Sequence, residues 1–365
     1  MDLPRSKNGL SQDLKLSIEG CIINMKYAVL YNPGHSRVYF ETALKLSIAE
    51  FSIAAQKISA RCDELENQQI CGVYYLTFKA DGELTASDIK IISGLSFVYA
   101  MFILEDDGRL NPVAINDEKY IDSGISGILK YSGKTNEIFT RMLVNIAYYS
   151  QGAAENIRLL DPISGKGTTL YEGLVKGFNV YGIEIGEKVT AEAYHFLQKY
   201  LENEKYKFNL KSIKLSGEKK SFTAERHTFE IARNKQELKD KNIRIAEFIS
   251  GNSQFANKYY KKNFFNMIVG DLPYGIQHGN VTNEKQSSLT RNPTELLNVC
   301  LPSWAEVLKP GGSIVLSWNS FVLSRVKMIK IFEDKGLKVR DDEIYRGFEH
   351  RVDQSIMRDI IVAVK

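Results

Sequence analysis

Apolar and polar residues follow two different rhythms along this chain. Through the first 130 residues or so, strand-like and helix-like stretches mix. KYAVLYN (26–32) and GVYYLTFKA (72–80) are rich in aromatic and β-branched residues, which suit a pleated, half-buried surface. Between them, 37–61 carries Leu44, Ile48, Phe51, Ala55 and Ile58 at helical spacing. Asp81-Gly82 marks a turn, followed by a short helix near 87–93 and a strand at 97–104. An α+β domain is expected over 1–130.

From Tyr131 the rhythm becomes a regular alternation. A helix entry at Thr135 or Asn136 leads into an amphipathic run through Phe139, Met142, Leu143 and Ile146. Short apolar runs follow at IRLLD (157–161), NVYGIEI (179–185), IRIAEFIS (243–250), FNMIVGD (265–271) and GSIVLSW (312–318). Helix-like stretches separate them, among them PTELLNVCLPSWAEVL and VLSRVKMIKIFEDKG. Strands alternating with helices predict a parallel sheet covered on both faces, with ligands beyond the carboxyl ends of the strands. The expected fold class is α/β, a large sheet over 131–365 with a smaller N-terminal α+β domain.

Two of these strands end in acids beside unusual turns. In DPISGKGTT (161–169), Gly165 and Gly167 let backbone pass close to a ligand. Thr168 and Thr169 are placed to cap the next helix, whose free N–H groups attract an anion. The phosphate-loop pattern GxxxxGK[ST] fails, because position 160 is Leu. GxGxxG fails too, because its third glycine position is Leu170, and an acid at the strand end sits badly beside a pyrophosphate. S-adenosylmethionine fits better: its ammonium group suits Asp161 and its carboxylate suits the helix N-terminus. Glu184, 23 residues further on at the next strand end, is placed to accept both ribose hydroxyls. The third strand ends in ISGNS, where Asn252 or Ser253 can hydrogen-bond an adenine.

Composition changes the picture in one respect. Net charge is only +4, but 199–262 holds sixteen Lys and Arg against eight Asp and Glu. The rest of the chain therefore sums to −4, and the concentrated basic segment is the electrostatic footprint of a nucleic-acid partner. Its core, GEKKSFTAERHTFEIAR, reads as a small β-rich insertion near 201–245. The longest apolar runs fall short of the roughly 20 residues of a membrane span. MDLPRSKNGL has no apolar core of signal-peptide type, so a cytoplasmic location is expected. The four cysteines lie far apart with no CxxC pair, and no metal site is expected.

DPISGKGTTLYEG together with NVYGIEI resembles the first two cofactor motifs of Rossmann-like S-adenosylmethionine-dependent methyltransferases. More narrowly, the pair resembles the RNA methylases grouped with THUMP-containing tRNA and rRNA guanosine-N2 methyltransferases. The resemblance covers roughly 130–365. It implies a seven-stranded sheet whose last strand is antiparallel, closing here near 337–340 and 358–364. It also implies that GKTNEIFTR closes over the methionine end of the cofactor, which makes Thr135, Asn136 and Phe139 cofactor-site candidates beside Asp161, Pro162, Ser164, Gly165, Gly167, Thr168, Thr169, Glu184 and Asn252. The N-terminal domain, ferredoxin-like or THUMP-like by the same implication, would deliver the RNA.

DLPYG (271–275) ends the strand expected to be fourth, about 110 residues after DPISGKGTT. An exocyclic amine is a poor nucleophile because its lone pair is delocalised into the base. Acceptors for its N–H groups help localise that pair. Asp271 offers a carboxylate, the Leu272 carbonyl a second acceptor, Pro273 a fixed φ, and Tyr274 a flat face worth about 1–3 kcal/mol of stacking. The tetrad resembles the Asn/Asp-Pro-Pro-Tyr/Phe motif of amino-methyltransferases, with Leu272 replacing the first proline. The expected activity is methylation of an exocyclic base nitrogen, guanine N2 of tRNA or rRNA, with RNA as the partner. A DNA adenine-N6 methyltransferase and a non-catalytic RNA-binding methyltransferase-like protein are the alternatives. Gln277, His278, Asn319 and the basic residues of HRVDQSIMRD (350–359) are further candidates for substrate contact.

Overall fold

The structure is a computed structural model that describes residues 24–33, 37–115, 118–131, 133–152, 154–274 and 292–365. Gly275, Gln277 and His278 lie outside the described residues. The N-terminal part runs β1 (Met25–Tyr31), α1 (Arg37–Ala55), β2 (Cys62–Ile70), β3 (Val73–Ala80), α2 (Ala86–Ser93), β4 (Val98–Leu104) and β5 (Leu110–Val113). Its sheet is antiparallel, in the order β2-β3-β1-β4-β5. The first four strands and two helices thus form a ferredoxin-like β-α-β-β-α-β unit. Strand β2 gave no signal in the hydrophobic pattern, since CDELENQQI is polar almost throughout. It forms at the sheet edge, where polar side chains can face water on both sides.

The second part begins with α3 (Ile125–Ile128) and α4 (Glu137–Ser150), then β6 (Arg158–Asp161), α5 (Thr168–Val175), β7 (Asn179–Glu184) and α6 (Glu187–Asn203). It continues with β8 (Lys207–Ser216), β9 (Thr223–Ala232), α7 (Lys235–Lys239), β10 (Arg244–Ser250), α8 (Ala256–Tyr259) and β11 (Phe265–Asp271). It closes with α9 (Pro293–Val307), β12 (Leu308–Asn319), α10 (Arg325–Glu333), β13 (Lys338–Arg340), β14 (His350–Arg351) and β15 (Met357–Val364). The central strands stand in the order β10-β7-β6-β11-β12-β15-β13. β15 is antiparallel to both neighbours, while β10, β7, β6, β11 and β12 are mutually parallel. These seven strands, with β15 antiparallel, follow the arrangement that the resemblance implied, and β9, β8 and β14 extend the sheet to ten strands. The fold is α/β. Among the described residues no helix is long and apolar enough to cross a membrane.

Period-two alternation explains why these strands read as unbroken apolar runs. Leu159, Met267, Val269, Val315, Ile360 and Val362 pack into one core, with α4 and α5. Leu160, Ile268, Ile314, Leu316 and Ile361 pack into the other, with α9 and α10 around Trp304 and Trp318. Successive side chains point to opposite faces, so a strand covered on both faces has no polar side. The basic insertion is a hairpin rather than a separate domain. Its β9 pairs with β10 from Arg244 to Ser250, and β8 becomes the sheet edge with Lys211 and Lys214 exposed.

The first core also contains Tyr27, Val29, Leu76 and Phe78, so the small sheet and the large one share one apolar interior. Across that junction stands Glu50 of α1, fully buried. Its carboxylate accepts the backbone N–H of Ser96 at 2.9 Å and the side-chain amide of Asn145, on α4, at 2.6 Å. Burial raises the Glu50 pKa above the ordinary glutamate value, against the lowering effect of those hydrogen bonds and the Lys176 ammonium. The native state therefore favours the protonated form more than the unfolded chain does. That contribution is fully present below about pH 4.3, the unfolded value, and is lost as pH rises through the raised native value. Glu50→Gln is expected to remove this pH slope. Glu50→Ala should cost about 1–3 kcal/mol by leaving buried donors of Ser96 and Asn145 without an acceptor. Urea unfolding of the three proteins across about pH 4 to 8 checks both; equal slopes for wild type and Glu50→Gln would contradict the first.

Candidate functional site

Asp161 closes β6 and is buried. Its Oδ1 accepts the backbone N–H of Ile163 at 3.1 Å, and the Thr169 hydroxyl also bonds to it. Burial pushes its pKa up to about 7; the Thr169 and Ile163 hydrogen bonds oppose the rise, and the charges of Asp271 and Glu184 add to it. The turn that follows carries Gly165 at φ +50 and Gly167 at φ +89. A Cβ at Gly165 would meet nothing within 4 Å, so the backbone there borders open space. Pro162 and Ser164 are buried in the same turn, and the Ser164 N–H donates to the Ile183 carbonyl at 2.9 Å, which ties the turn to β7.

The threonines do not act as expected. Gly167 is the N-cap of α5, in the left-handed region and without a side-chain cap, so Thr168 and Thr169 fall inside the first turn. Their hydroxyls bond elsewhere, Thr169 to Asp161 and Thr168 to the phenol of Tyr131. Tyr131, with the Lys166 ammonium 4.7 Å from its ring centroid, was missed by sequence reasoning.

Glu184 closes β7 on the neighbouring strand. Its Oε1 accepts the N–H of Gly186 at 2.8 Å and its Oε2 the N–H of Gly165 at 3.1 Å, so it links both turns. Burial raises its pKa, opposed by these backbone bonds. Gly182 makes the close approach possible: a Cβ there would stand 2.7 Å from Leu170 and 2.8 Å from the Ser164 hydroxyl. At the next strand end Asn252 spends its side-chain oxygen on the N–H of Gln254 at 3.0 Å, capping a short 3-10 turn. Ser253 is turned away to the Trp304 indole, which donates to its hydroxyl at 2.9 Å.

Asp271 closes β11, next to β6. Three hydroxyls converge on its carboxylate. Thr135 donates to Oδ2, Ser317 to Oδ1, and the Tyr274 phenol lies 2.5 and 2.7 Å from the two oxygens. The register places Ser317 opposite Asp271 on β12, and the Leu272 N–H donates to the Ser317 carbonyl at 2.8 Å. Leu272 is buried; Pro273 and Tyr274 are half-buried. Burial raises the Tyr274 pKa well above the ordinary tyrosine value, reinforced by the Asp271 charge and opposed by Arg358.

Arg358 is one of the basic residues of 350–359 that the sequence offered for substrate contact. It is buried, with its guanidinium carbon 4.4 Å from the Phe139 centroid and 5.2 Å from that of Tyr274. Phe139 is fully enclosed, so its ring supports Arg358 from within rather than lining an open surface. Asn136 is the N-cap of α4, its side-chain oxygen accepting from Ile138 and Phe139. His350 lies beyond Phe139, with ring centroids 5.5 Å apart. Burial lowers its pKa to about 4, helped by the Arg358 and Lys45 charges against the Phe348 carbonyl bond. It is therefore neutral at pH 7, with Nδ1–H donating to Phe348 at 2.8 Å. Asn319 is buried, and its side chain is held by four hydrogen bonds. Its amide donates to the carbonyls of Tyr274 at 3.3 Å and Ser355 at 3.0 Å, and its oxygen accepts from Phe321 at 3.2 Å and Met357 at 3.1 Å.

The rim thus brings together Thr135, Asp161, Ser164, Gly165, Thr169, Glu184, Asp271 and Tyr274. No family model and no curated protein matches this chain. Among solved structures it is similar to TehB from Haemophilus influenzae at 13% identity and TM-score 0.36, covering 73% of this chain and 81% of that one. A TehB-like SAM-dependent methyltransferase from Corynebacterium glutamicum matches at 13% identity and TM-score 0.33, covering 58% and 82%. An rRNA methylase from Streptococcus thermophilus matches at 11% and TM-score 0.28, covering 57% and 87%. Values this low carry no functional argument; the strand order and the rim geometry stand on their own.

Asn319→Ala is expected to lower the unfolding free energy by about 2–4 kcal/mol, because it leaves two N–H donors and two carbonyls unpartnered in a buried site. Denaturant titration of the variant tests this; a loss below about 1 kcal/mol would mean that the four bonds are replaced by water.

Proposed function

We propose that this protein is an S-adenosylmethionine-dependent methyltransferase acting on an exocyclic amino nitrogen of a nucleic-acid base, guanine N2 in tRNA or rRNA. The observation that carries the reading is the placement of Asp161, Glu184 and Asp271 at the carboxyl ends of three adjacent parallel strands, in a sheet whose seven central strands include the antiparallel β15. The donor set fits the cofactor. Open space beside Gly165 lies between an acid suited to an ammonium group and an acid suited to ribose hydroxyls. Bound there, S-adenosylmethionine supplies a methyl group on a sulfonium, a leaving group that departs as a neutral thioether.

The chain's own residues do the rest. Asp161 holds the amino group and Glu184 the ribose. Asp271 accepts the N–H of the target amine, which localises the nitrogen lone pair, and is secondarily available to take the proton that the amine loses. For that, the Tyr274 phenol must leave the carboxylate, since three hydroxyls already occupy its two oxygens. Once released, the Tyr274 ring is the stacking face for the flipped base. Pro273 fixes the turn that presents the Leu272 carbonyl as a second acceptor. The basic hairpin β8–β9 supports a nucleic-acid partner: Lys211, Lys214, Lys219 and Lys220 are exposed on it. The ferredoxin-like unit is the second surface proposed to bind RNA.

Asp271→Ala is expected to abolish methyl transfer while leaving cofactor affinity within a few-fold. Restoration of turnover by saturating cofactor would overturn the role assigned to Asp271. Because Asp161 binds the ammonium group only when ionised, cofactor affinity should rise with pH through about 7, the value that burial imposes on this carboxyl. Asp161→Asn should flatten that profile in calorimetry. The substrate itself is identified by incubating the protein with labelled cofactor and total RNA or DNA, then analysing nucleosides by mass spectrometry. N2-methylguanosine in RNA is the expected product. N6-methyladenine in DNA would replace the guanine reading, and no cofactor binding at all would make the chain a non-catalytic relative.

A further inference from the structure

Beyond the carboxyl end of β12 the chain turns sharply towards α10, and the turn presents apolar side chains to solvent. Phe321 is 60% exposed and Val322 48%, with Val326 exposed just beyond them at the start of α10. A lone apolar residue on a surface is ordinary. This ring is set apart by how firmly its backbone is held and by what it stands beside.

The turn is fixed on both sides of Phe321. Val322 and Leu323 donate their N–H groups to the Asn319 carbonyl at 3.0 and 3.2 Å. The Trp318 indole donates to the Leu323 carbonyl at 2.6 Å, and the Leu323 side chain is buried. The Ser320 N–H donates to the Met357 carbonyl at 2.7 Å, and the Ser320 hydroxyl donates to Glu349 at 2.9 Å. A backbone already ordered in this way has little freedom left to lose on binding.

The turn also shares an anchor with the target slot. The Asn319 oxygen accepts the Phe321 N–H at 3.2 Å, while its amide donates to the Tyr274 carbonyl at 3.3 Å. One side chain thus ties together the backbones of two aromatic residues, one proposed to face the target base and the other exposed. The charges flanking the turn are of both signs, with Lys45, Lys327 and Arg351 against Glu349 and Asp353, all exposed. What the surface offers is a flat apolar face rather than a concentration of positive charge.

We propose that Phe321 is a second stacking face for the nucleic-acid substrate, taking the base next to the one presented to Asp271 and Tyr274. The proposal rests on the nucleobase reading of the site. A flipped base leaves its neighbour without a stacking partner on one side, and a rigid exposed ring beside the slot supplies one. Every base has a π-face, so the contact adds affinity without reading sequence.

Fluorescence anisotropy with a labelled ten-nucleotide single-stranded RNA of mixed sequence, bound by the full chain, tests this. Phe321→Ala is expected to weaken binding about tenfold, and Phe321→Trp to keep wild-type affinity. The slope of log Kd against log salt should be the same for wild type and Phe321→Ala, whereas replacing Lys211 and Lys214 by Ala should lower it. With total RNA as methylation substrate, Phe321→Ala should raise KM and leave kcat unchanged, because the ring lies outside the reacting atoms. The proposal is overturned if Phe321→Ala binds RNA as tightly as wild type, if its salt slope falls, or if methylation proceeds with KM unaltered. It is equally overturned if sedimentation shows a dimer that Phe321→Ala dissociates, which would make the turn an interface between copies of this chain. A tenfold loss of RNA binding in Phe321→Ala, with no methylated nucleoside from wild type, would remove the methyltransferase reading and keep Phe321 as an RNA-stacking residue.

Discussion

Two remote stretches of chain and the turn just after β11 meet at the carboxylate of Asp271. Thr135 comes from the approach to α4, Ser317 from near the carboxyl end of β12, and Tyr274 from the turn beyond β11 itself. That convergence follows from parity. Met267, Val269 and Asp271 point to the α4 side of the sheet, as do Val315, Ser317 and Asn319 on β12 and Arg358, Ile360 and Val362 on β15. The same alternation that fills two cores with apolar side chains therefore delivers polar ones, in line, to a single rim. The N-terminus of α4 covers that rim because Phe139, Met142 and Val144 are anchored in the core beneath it.

The electrostatics of the rim follow from the same enclosure. Asp161, Glu184 and Asp271 stand at the tips of adjacent strands; burial raises the pKa of the first two, and the charges of Asp271 and Glu184 add to the rise at Asp161. Among the described residues Arg358 is a cation buried close by, held between the rings of Phe139 and Tyr274. Such a site is suited to bind positive charge. On the opposite side of the sheet a cleft is lined by charges of both signs, among them the Lys90–Glu118 and Arg141–Glu172 pairs. Glu50 and Asn145 hold the two sheets' units together between these regions, so the geometry of the cleft depends on that junction.

Much of this was legible in order. Apolar runs at 157–161, 179–185, 243–250, 265–271 and 312–318 became the strands, and the final antiparallel strand formed where the resemblance placed it. The acids at 161, 184 and 271 lie on adjacent strands because parallel connections of this handed, helix-crossed kind put consecutive strand ends on one edge. The threonines of the first turn, by contrast, were misread as caps. Gly167 adopts a left-handed backbone that starts the helix one residue earlier, and that choice depends on how the turn packs against Tyr171 and Phe248. Asn136 and Asn252 carried the right residue type for a ligand, yet both are consumed by local capping.

The chain alone determined what depends on near neighbours: the period of each strand and helix, the glycine turns, and the acid at each strand tip. Tertiary structure alone decided what depends on pairing across long separations. It set Ser317 opposite Asp271, threaded Arg358 between Phe139 and Tyr274, recruited polar β2 as an edge strand and zipped the basic hairpin onto β10. It also opened a cleft between two units whose lining residues are scattered from Asn32 to Phe178. The reason is physical: local preferences are encoded by spacing, whereas strand register and inter-unit contact are fixed only when the buried faces meet and exclude the alternatives.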